Sequence, residues 1–169
     1  MSDLAIFGGK PVRKDPFSSW PRVINGQKEK LMNTLTNDLW GIGSEVIKEL
    51  EEKFAKFHDA KNCIAINNGT NALWVALKAA GVTYQDEVII PPYTFIATAT
   101  AVLMSNATPV FVDIDPDTFN MDPNLIESAI TDRTKAIVPV HIGGNPADME
   151  RIIDIGNKYN LAVIEDAAQ

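Results

Sequence analysis

The sequence predicts an α/β fold built on a parallel sheet. From residue 62 onward, short apolar segments alternate regularly with longer segments of helical periodicity. The short segments are apolar throughout, which is typical of strands that are covered on both faces. Because strand and helix alternate four times before a fifth strand, the strands are expected to run parallel with right-handed crossovers.

The five predicted strands are residues 63–67, 86–91, 108–113, 134–140 and 161–166. The four helices between them are residues 69–81, 95–106, 122–130 and 147–160. Gly81 is expected at the C′ position of the first of these helices, since glycine tolerates the left-handed conformation required there.

The part before this alternation is predicted to hold an arm and two helices. Residues 1–25 are rich in glycine and proline, which indicates an irregular arm. The first helix spans residues 24–38, and residues 40–43 form a turn. Ser44 caps the second helix, whose apolar residues fall on one face: Val46, Ile47, Leu50, Phe54 and Phe57.

Composition narrows the functional classes. The 169 residues carry a net charge of −7 and no basic run, which argues against a nucleic-acid partner. The single cysteine excludes an internal disulfide and favours a reducing compartment. No apolar stretch is long enough for a signal peptide or a membrane span, so we expect a cytoplasmic protein.

Ligands of open parallel sheets bind beyond the carboxyl ends of the strands. The turn Gly69-Thr70-Asn71 follows the first strand and opens a helix, where free N–H groups suit a phosphate. Simple capping of that helix by Asn68 or Thr70 is the alternative. Neither a dinucleotide fingerprint nor a nucleoside-triphosphate loop is present.

Aromatic and acidic residues follow other strands. Phe95 could stack on a planar ring or pack in the core. The acidic stretch of residues 113–122 begins like a calcium loop, but Thr118 stands where that loop needs glycine and Asn124 where it needs glutamate. No histidine or cysteine spacing fits zinc, and a lone His141 favours a structural role. We therefore predict no metal site.

Asp166 ends the last apolar strand. A carboxylate at the end of a buried strand is costly unless a cation meets it, and a protonated pyridine nitrogen is such a cation. Capping of a following helix is the alternative.

Taken together, five motifs resemble the N-terminal half of the DegT/DnrJ/StrS family of pyridoxal-phosphate-dependent sugar aminotransferases. They are "NNGTNAL", "VIIPPYTFIATA", "PVFVDIDPDTFNMDP", "TKAIVPVHIGGNPADM" and "VIEDAAQ", and the resemblance extends from Leu4 to Gln169. It implies the large domain of the fold-type I aminotransferases, here residues 26–169 and incomplete.

The resemblance also implies roles for single residues. Gly69, Thr70 and Asn71 match the turn that holds the phosphate of pyridoxal 5'-phosphate. Phe95 matches the aromatic residue that stacks on the pyridine ring. Asp166 matches the carboxylate that pairs with the ring nitrogen, and Gln169 a position near the phenolic oxygen of the ring. The loop at residues 39–43 resembles one that borders the substrate entrance.

The implied activity is transfer of an amino group from an amino acid to a nucleotide-linked keto-sugar or a cyclitol, in antibiotic or polysaccharide biosynthesis, by a homodimer. The family's Schiff-base lysine lies on a later strand, so we expect a chain that is part of a longer enzyme and inactive alone. A sugar dehydratase with histidine in place of that lysine, and a non-catalytic cofactor-binding or regulatory relative, remain alternatives.

Overall fold

A computed structural model describes residues 4–169, so the first three residues of the predicted arm lie outside the described part of the chain. The described residues form two compact units, divided between Ala65 and Ile66. No helix among them is long and apolar enough to cross a membrane. The division at residues 25 and 26 that the sequence suggested stays a prediction.

The first unit contains the two predicted helices. Helix α1 spans Gln27–Thr36 and helix α2 spans Glu45–Phe57. The side chain of Ser44 accepts a hydrogen bond from the backbone N–H of Val46, which confirms the predicted cap. Most of the apolar face predicted for α2 is exposed to solvent.

The second unit is a four-stranded parallel sheet with helices on both faces. Its strands are β1 (Glu87–Ile90), β2 (Thr108–Phe111), β3 (Thr134–Ile137) and β4 (Ala162–Val163), in the order β2-β1-β3-β4. Its helices are α3 (Gly69–Ala79), α4 (Ala97–Met104), α5 (Pro123–Ile126) and α6 (Met149–Tyr159).

Strand β1, one of the two inner strands of the sheet, has apolar side chains packed on both of its faces. Val88 and Ile90 pack with residues of α3 and α4, whereas Ile89 packs on the other face with residues of α5 and α6. All three side chains are fully buried. The prediction of a short strand covered on both faces is therefore confirmed for β1, whereas the edge strand β2 is partly exposed.

Helix α3 ends as predicted. Gly81 has a φ of 83°, its N–H donates to Lys78, and the N–H of Val82 donates to Leu77 over 3.0 Å. These two bonds satisfy carbonyls at the helix end that would otherwise lack a partner.

The prediction of a strand at residues 63–67 is wrong. This segment forms no ladder with any described strand, and Ile64 and Ile66 are exposed. A β-strand requires a hydrogen-bonded neighbour, and an apolar sequence alone does not supply one.

Strands β3 and β4 are shorter than predicted because of Pro139. The N–H of Ile164 donates to Ile137, but Pro139 has no N–H to return the next bond. Pairing resumes beyond it, where the N–H of Asp166 donates to Pro139 over 2.9 Å and that of His141 donates to Asp166. The interrupted ladder thus still holds the backbone of Asp166 at the sheet edge.

Helix α6 approaches β4 closely at Gly156. A Cβ atom there would lie 2.6 Å from Val163 Cγ2 and 3.3 Å from the Leu161 carbonyl oxygen. We expect Gly156→Ala to destabilise the protein by about 1–2 kcal/mol, because overpacking outweighs the helix propensity of alanine. Urea unfolding of the complete gene product measures this. Gly41→Ala, which would meet no atom within 4 Å, is the control, and equal stability of the two variants would contradict the close approach.

Candidate functional site

A cavity of about 180 Å³ opens beyond the carboxyl ends of β1 and β3. It is lined by residues from α3, from the segment after β1, and from the chain beyond β3 and β4: Gly69, Thr70, Leu73, Thr94, Phe95, Ala97, Val140, Asp166, Ala168 and Gln169. The sheet thus brings together five of the six residues selected from the sequence. Asn71 does not line the cavity.

The N-terminus of α3 forms one wall. The side chain of Asn68 accepts a 2.9 Å hydrogen bond from the N–H of Asn71, so the capping alternative is correct for Asn68. The side-chain amide of Asn71 is bonded to Asn67. Among the described residues, no acceptor meets the backbone N–H groups of Gly69 and Thr70. Two unpaired donors at a helix N-terminus therefore border the cavity, and they suit an anion.

Phe95 provides an exposed apolar surface at the cavity. Its side chain is 75% exposed, so the core-packing alternative is wrong. Tyr93, two residues earlier, does not line the cavity, and its ring lies 6.0 Å from that of Phe119. Of these aromatic rings, only that of Phe95 is available to a ligand in the cavity.

Asp166 is a buried carboxylate in the cavity wall. It is 8% exposed, and no lysine, arginine or histidine nitrogen among the described residues lies within 4.0 Å of it. Its Oδ2 atom accepts a 2.7 Å hydrogen bond from the Thr98 hydroxyl, and its Oδ1 atom accepts only a long bond of 3.4 Å from the N–H of Ala168. A buried carboxylate with donors but no cation suits a ligand that carries a protonated nitrogen.

Thr98 and Thr94 were missed by sequence reasoning. The two hydroxyl oxygens lie 2.8 Å apart, and Thr98 is 1% exposed. The only signal in the sequence is their spacing of four residues, with Thr94 just before α4 and Thr98 in its first turn. This spacing does not reveal what the two side chains contact.

Gln169 is tied to the loop after β3. Its Oε1 atom accepts a hydrogen bond from the N–H of Gly143. Gly143 and Gly144 have φ values of 63° and 78°, a conformation that glycine adopts at little cost. The role of Gln169 near a phenolic oxygen stays a prediction.

His141 is fixed by contacts within the protein. Its Nδ1 atom accepts a 3.0 Å hydrogen bond from the N–H of Ala147, and its Nε2 atom lies 2.8 Å from Glu165 Oε2. Since Nδ1 is an acceptor, the proton of the neutral ring lies on Nε2 and is donated to Glu165. Both nitrogens are used, and His141 does not line the cavity, which supports a structural role.

The loop that precedes α2 forms a turn. Gly43 has a φ of 78° and the N–H of Ser44 donates to Gly41, so the predicted turn at residues 40–43 is present in the first unit. Its role at a substrate entrance stays a prediction.

Within residues 4–169, no group of three or more histidine, cysteine or acidic side chains could hold a metal ion.

The sequence matches the profile of an aminotransferase family and individual proteins that are named as aminotransferases. The sequence profile of the DegT/DnrJ/EryC1/StrS aminotransferase family matches residues 22–169. The chain is 40% identical over 174 residues to the L-glutamine:2-deoxy-scyllo-inosose aminotransferase of Streptomyces kanamyceticus, covering 99% of this chain and 41% of that protein. It is 50% identical over 139 residues to the UDP-2-acetamido-2-deoxy-3-oxo-D-glucuronate aminotransferase of Pseudomonas aeruginosa, covering 82% of this chain and 38% of that protein.

A solved structure agrees with these sequence matches. The crystal structure of NtdA from Bacillus subtilis with bound cofactor PMP superimposes with a TM-score of 0.79 at 38% identity, over 95% of this chain and 38% of that one. The parallel sheet is thus that of the fold-type I aminotransferases. The chain spans about 40% of the length of the relatives that it matches.

Proposed function

The chain belongs to the DegT/DnrJ/EryC1/StrS aminotransferase family, and from that premise we propose that it forms the cofactor-binding part of a pyridoxal-phosphate-dependent aminotransferase. The reaction moves an amino group from an amino acid to a keto-sugar or a cyclitol. The observation that carries the proposal is Asp166, a buried carboxylate in a cavity wall with no cationic partner among the described residues.

The residues of the cavity fit pyridoxal phosphate. The unpaired N–H groups of Gly69 and Thr70 would hold the phosphate, with the Thr70 hydroxyl as a further donor. Phe95 would cover one face of the ring, and Asp166 would meet the ring nitrogen. Gln169 lies in the same wall and would approach the phenolic oxygen. When bound, the cofactor supplies an aldehyde that carries the amino group and a conjugated ring that withdraws electrons from the reacting carbon.

Asp166 would hold a proton on the ring nitrogen. A carboxylate taken out of water is stabilised by a neighbouring positive charge, and the proton on a pyridine nitrogen is stabilised by the carboxylate in return. The Thr98 hydroxyl and the N–H of Ala168 both donate hydrogen bonds to the Asp166 carboxylate. Phe95 would exclude water from the ring face that it covers, which strengthens this charge pairing.

The proposed amino donor is glutamine or glutamate. One relative is named for L-glutamine and an inosose, and another for a UDP-linked oxo-sugar. Both acceptors are ketones on a hydroxylated six-membered ring, so we propose an acceptor of that class. We also propose that the working enzyme is a homodimer that lies in the cytoplasm.

An amine-transfer assay on the complete gene product tests the function. The protein is incubated with pyridoxal phosphate, glutamine or glutamate, and a panel of UDP-linked keto-sugars and inososes, and the products are identified by mass spectrometry. We expect the ketone to become an amine only when donor and cofactor are both present. Loss of a hydroxyl group without gain of an amine would favour the dehydratase alternative. Absence of cofactor binding would contradict the proposal.

Thr70 provides a test of the phosphate contact. Its hydroxyl makes no hydrogen bond to another described residue, so Thr70→Val should leave the melting temperature unchanged. We expect the affinity for pyridoxal phosphate to fall about tenfold, because a hydrogen bond to a charged group is lost. Fluorescence titration measures this, and pyridoxal, which lacks the phosphate, is the control ligand. An equal loss of affinity for both ligands would contradict the assignment.

A further inference from the structure

The hydroxyl of Thr98 behaves differently from other hydroxyls of its helix. Thr100 donates to the carbonyl of Ile96 over 2.9 Å and Ser105 to that of Ala101 over 3.1 Å, which is the usual local pattern in helices. Thr98 instead donates to Asp166, which is 68 residues away in the sequence, over 2.7 Å. This distance lies in the range of strong bonds from a hydroxyl to a charged carboxylate.

The direction of these hydrogen bonds follows from chemistry. An ionised carboxylate can only accept, so the Thr98 hydroxyl must donate to Asp166 Oδ2. The oxygen of Thr98 is then free to accept from the hydroxyl of Thr94, 2.8 Å away. Thr94 lines the cavity. A directed chain of two hydroxyls therefore runs from the cavity wall to one oxygen of Asp166.

The chain engages only one of the two carboxylate oxygens. Oδ2 has the short bond from Thr98, whereas Oδ1 has only the 3.4 Å contact with the N–H of Ala168. Because Thr98 is 1% exposed, water cannot replace its hydroxyl without a rearrangement of the core. Rotation of the carboxylate would break a buried, charge-assisted bond, so the weakly bonded Oδ1 remains the oxygen available to a ligand.

We propose that Thr98 is a positioning residue for the cofactor: its hydroxyl fixes the Asp166 carboxylate so that Oδ1 accepts a hydrogen bond from the protonated ring nitrogen of pyridoxal phosphate. This inference rests on the proposed function. Thr98 itself does not line the cavity, so it would act only through Asp166.

The test uses the complete gene product with pyridoxamine phosphate labelled with ¹⁵N at the ring nitrogen. Thr98→Val removes the hydroxyl at nearly constant volume, and Thr98→Ser restores it. We expect Thr98→Val to shift the ¹⁵N resonance towards the unprotonated value and to weaken binding about tenfold. Thr98→Ser should resemble the wild type. Thr100→Val makes the same change two residues later in α4 and should leave both readouts unchanged.

A double-mutant cycle separates positioning from a general structural effect. If Thr98 acts through Asp166, Thr98→Val has no further effect on cofactor affinity once Asp166→Asn is present. If Thr98→Val does not fold, Thr98→Ala, which removes the same hydroxyl with a smaller side chain, replaces it in these measurements. Additive losses, an unchanged ¹⁵N shift in the variant without the hydroxyl, or an equal loss in Thr100→Val would overturn the proposal. Failure of the wild type to bind the cofactor would overturn the proposed function as well.

Discussion

Replacement of Asp166 by asparagine is expected to lower kcat/KM for amine transfer by about 10²–10³-fold, as found when one partner of a buried charge pair is removed. The amide retains the shape of the side chain but carries no negative charge to hold a proton on the ring nitrogen. Steady-state kinetics of the complete gene product measures the loss. Cofactor affinity, measured separately by fluorescence titration, should also fall.

Glu165 is the matched control for this substitution. It precedes Asp166, but its carboxylate is about half exposed, does not line the cavity and contacts His141 instead. Glu165→Gln makes the same chemical change and should leave cofactor affinity unaltered. Equal kinetic effects of the two substitutions would contradict the assignment of Asp166 to the ring nitrogen.

Replacement of Phe95 by alanine is expected to weaken binding of pyridoxal phosphate by about ten- to a hundredfold, the usual value of an aromatic ring stacked on a heterocycle. The free protein should lose little stability, since the side chain is 75% exposed. Fluorescence titration and thermal unfolding in the absence of cofactor give the two quantities separately.

Phe111 is the control for Phe95. It lies on the edge strand β2, is 57% exposed and does not line the cavity. Phe111→Ala should leave the cofactor affinity unchanged. A Phe95→Ala variant that melts at a lower temperature but binds the cofactor as well as the wild type would show that Phe95 packs in the protein rather than on the ring.

The alternation of strand and helix could be predicted from the sequence because each element has a local signal. The segment predicted as a strand at residues 86–91 contains β1, and Gly81 follows α3 in the expected left-handed conformation. Pairing is not local, so residues 63–67 looked like a strand although no described strand lies beside them. The ladder break at Pro139 could have been expected, since proline cannot donate a hydrogen bond.

Part of the candidate site could also be predicted from the sequence, and part could not. Glycine before a helix and a carboxylate after a strand are visible in sequence, and the order of motifs pointed to Asp166. The partner of Asp166 was not visible, because only the packed sheet brings α4 next to the end of β4. The phosphate contact that the motif suggested for Asn71 stays a prediction, and in the structure the N–H of Asn71 donates to the side chain of Asn68.

The most direct measurement is a crystal structure of the complete gene product with pyridoxamine phosphate. We expect the ring nitrogen to lie within hydrogen-bond distance of the Asp166 carboxylate, with the phosphate at the N-terminus of α3 and the ring against Phe95. A cofactor bound elsewhere, or one whose ring nitrogen faces no carboxylate, would contradict the claim that this cavity is the cofactor site.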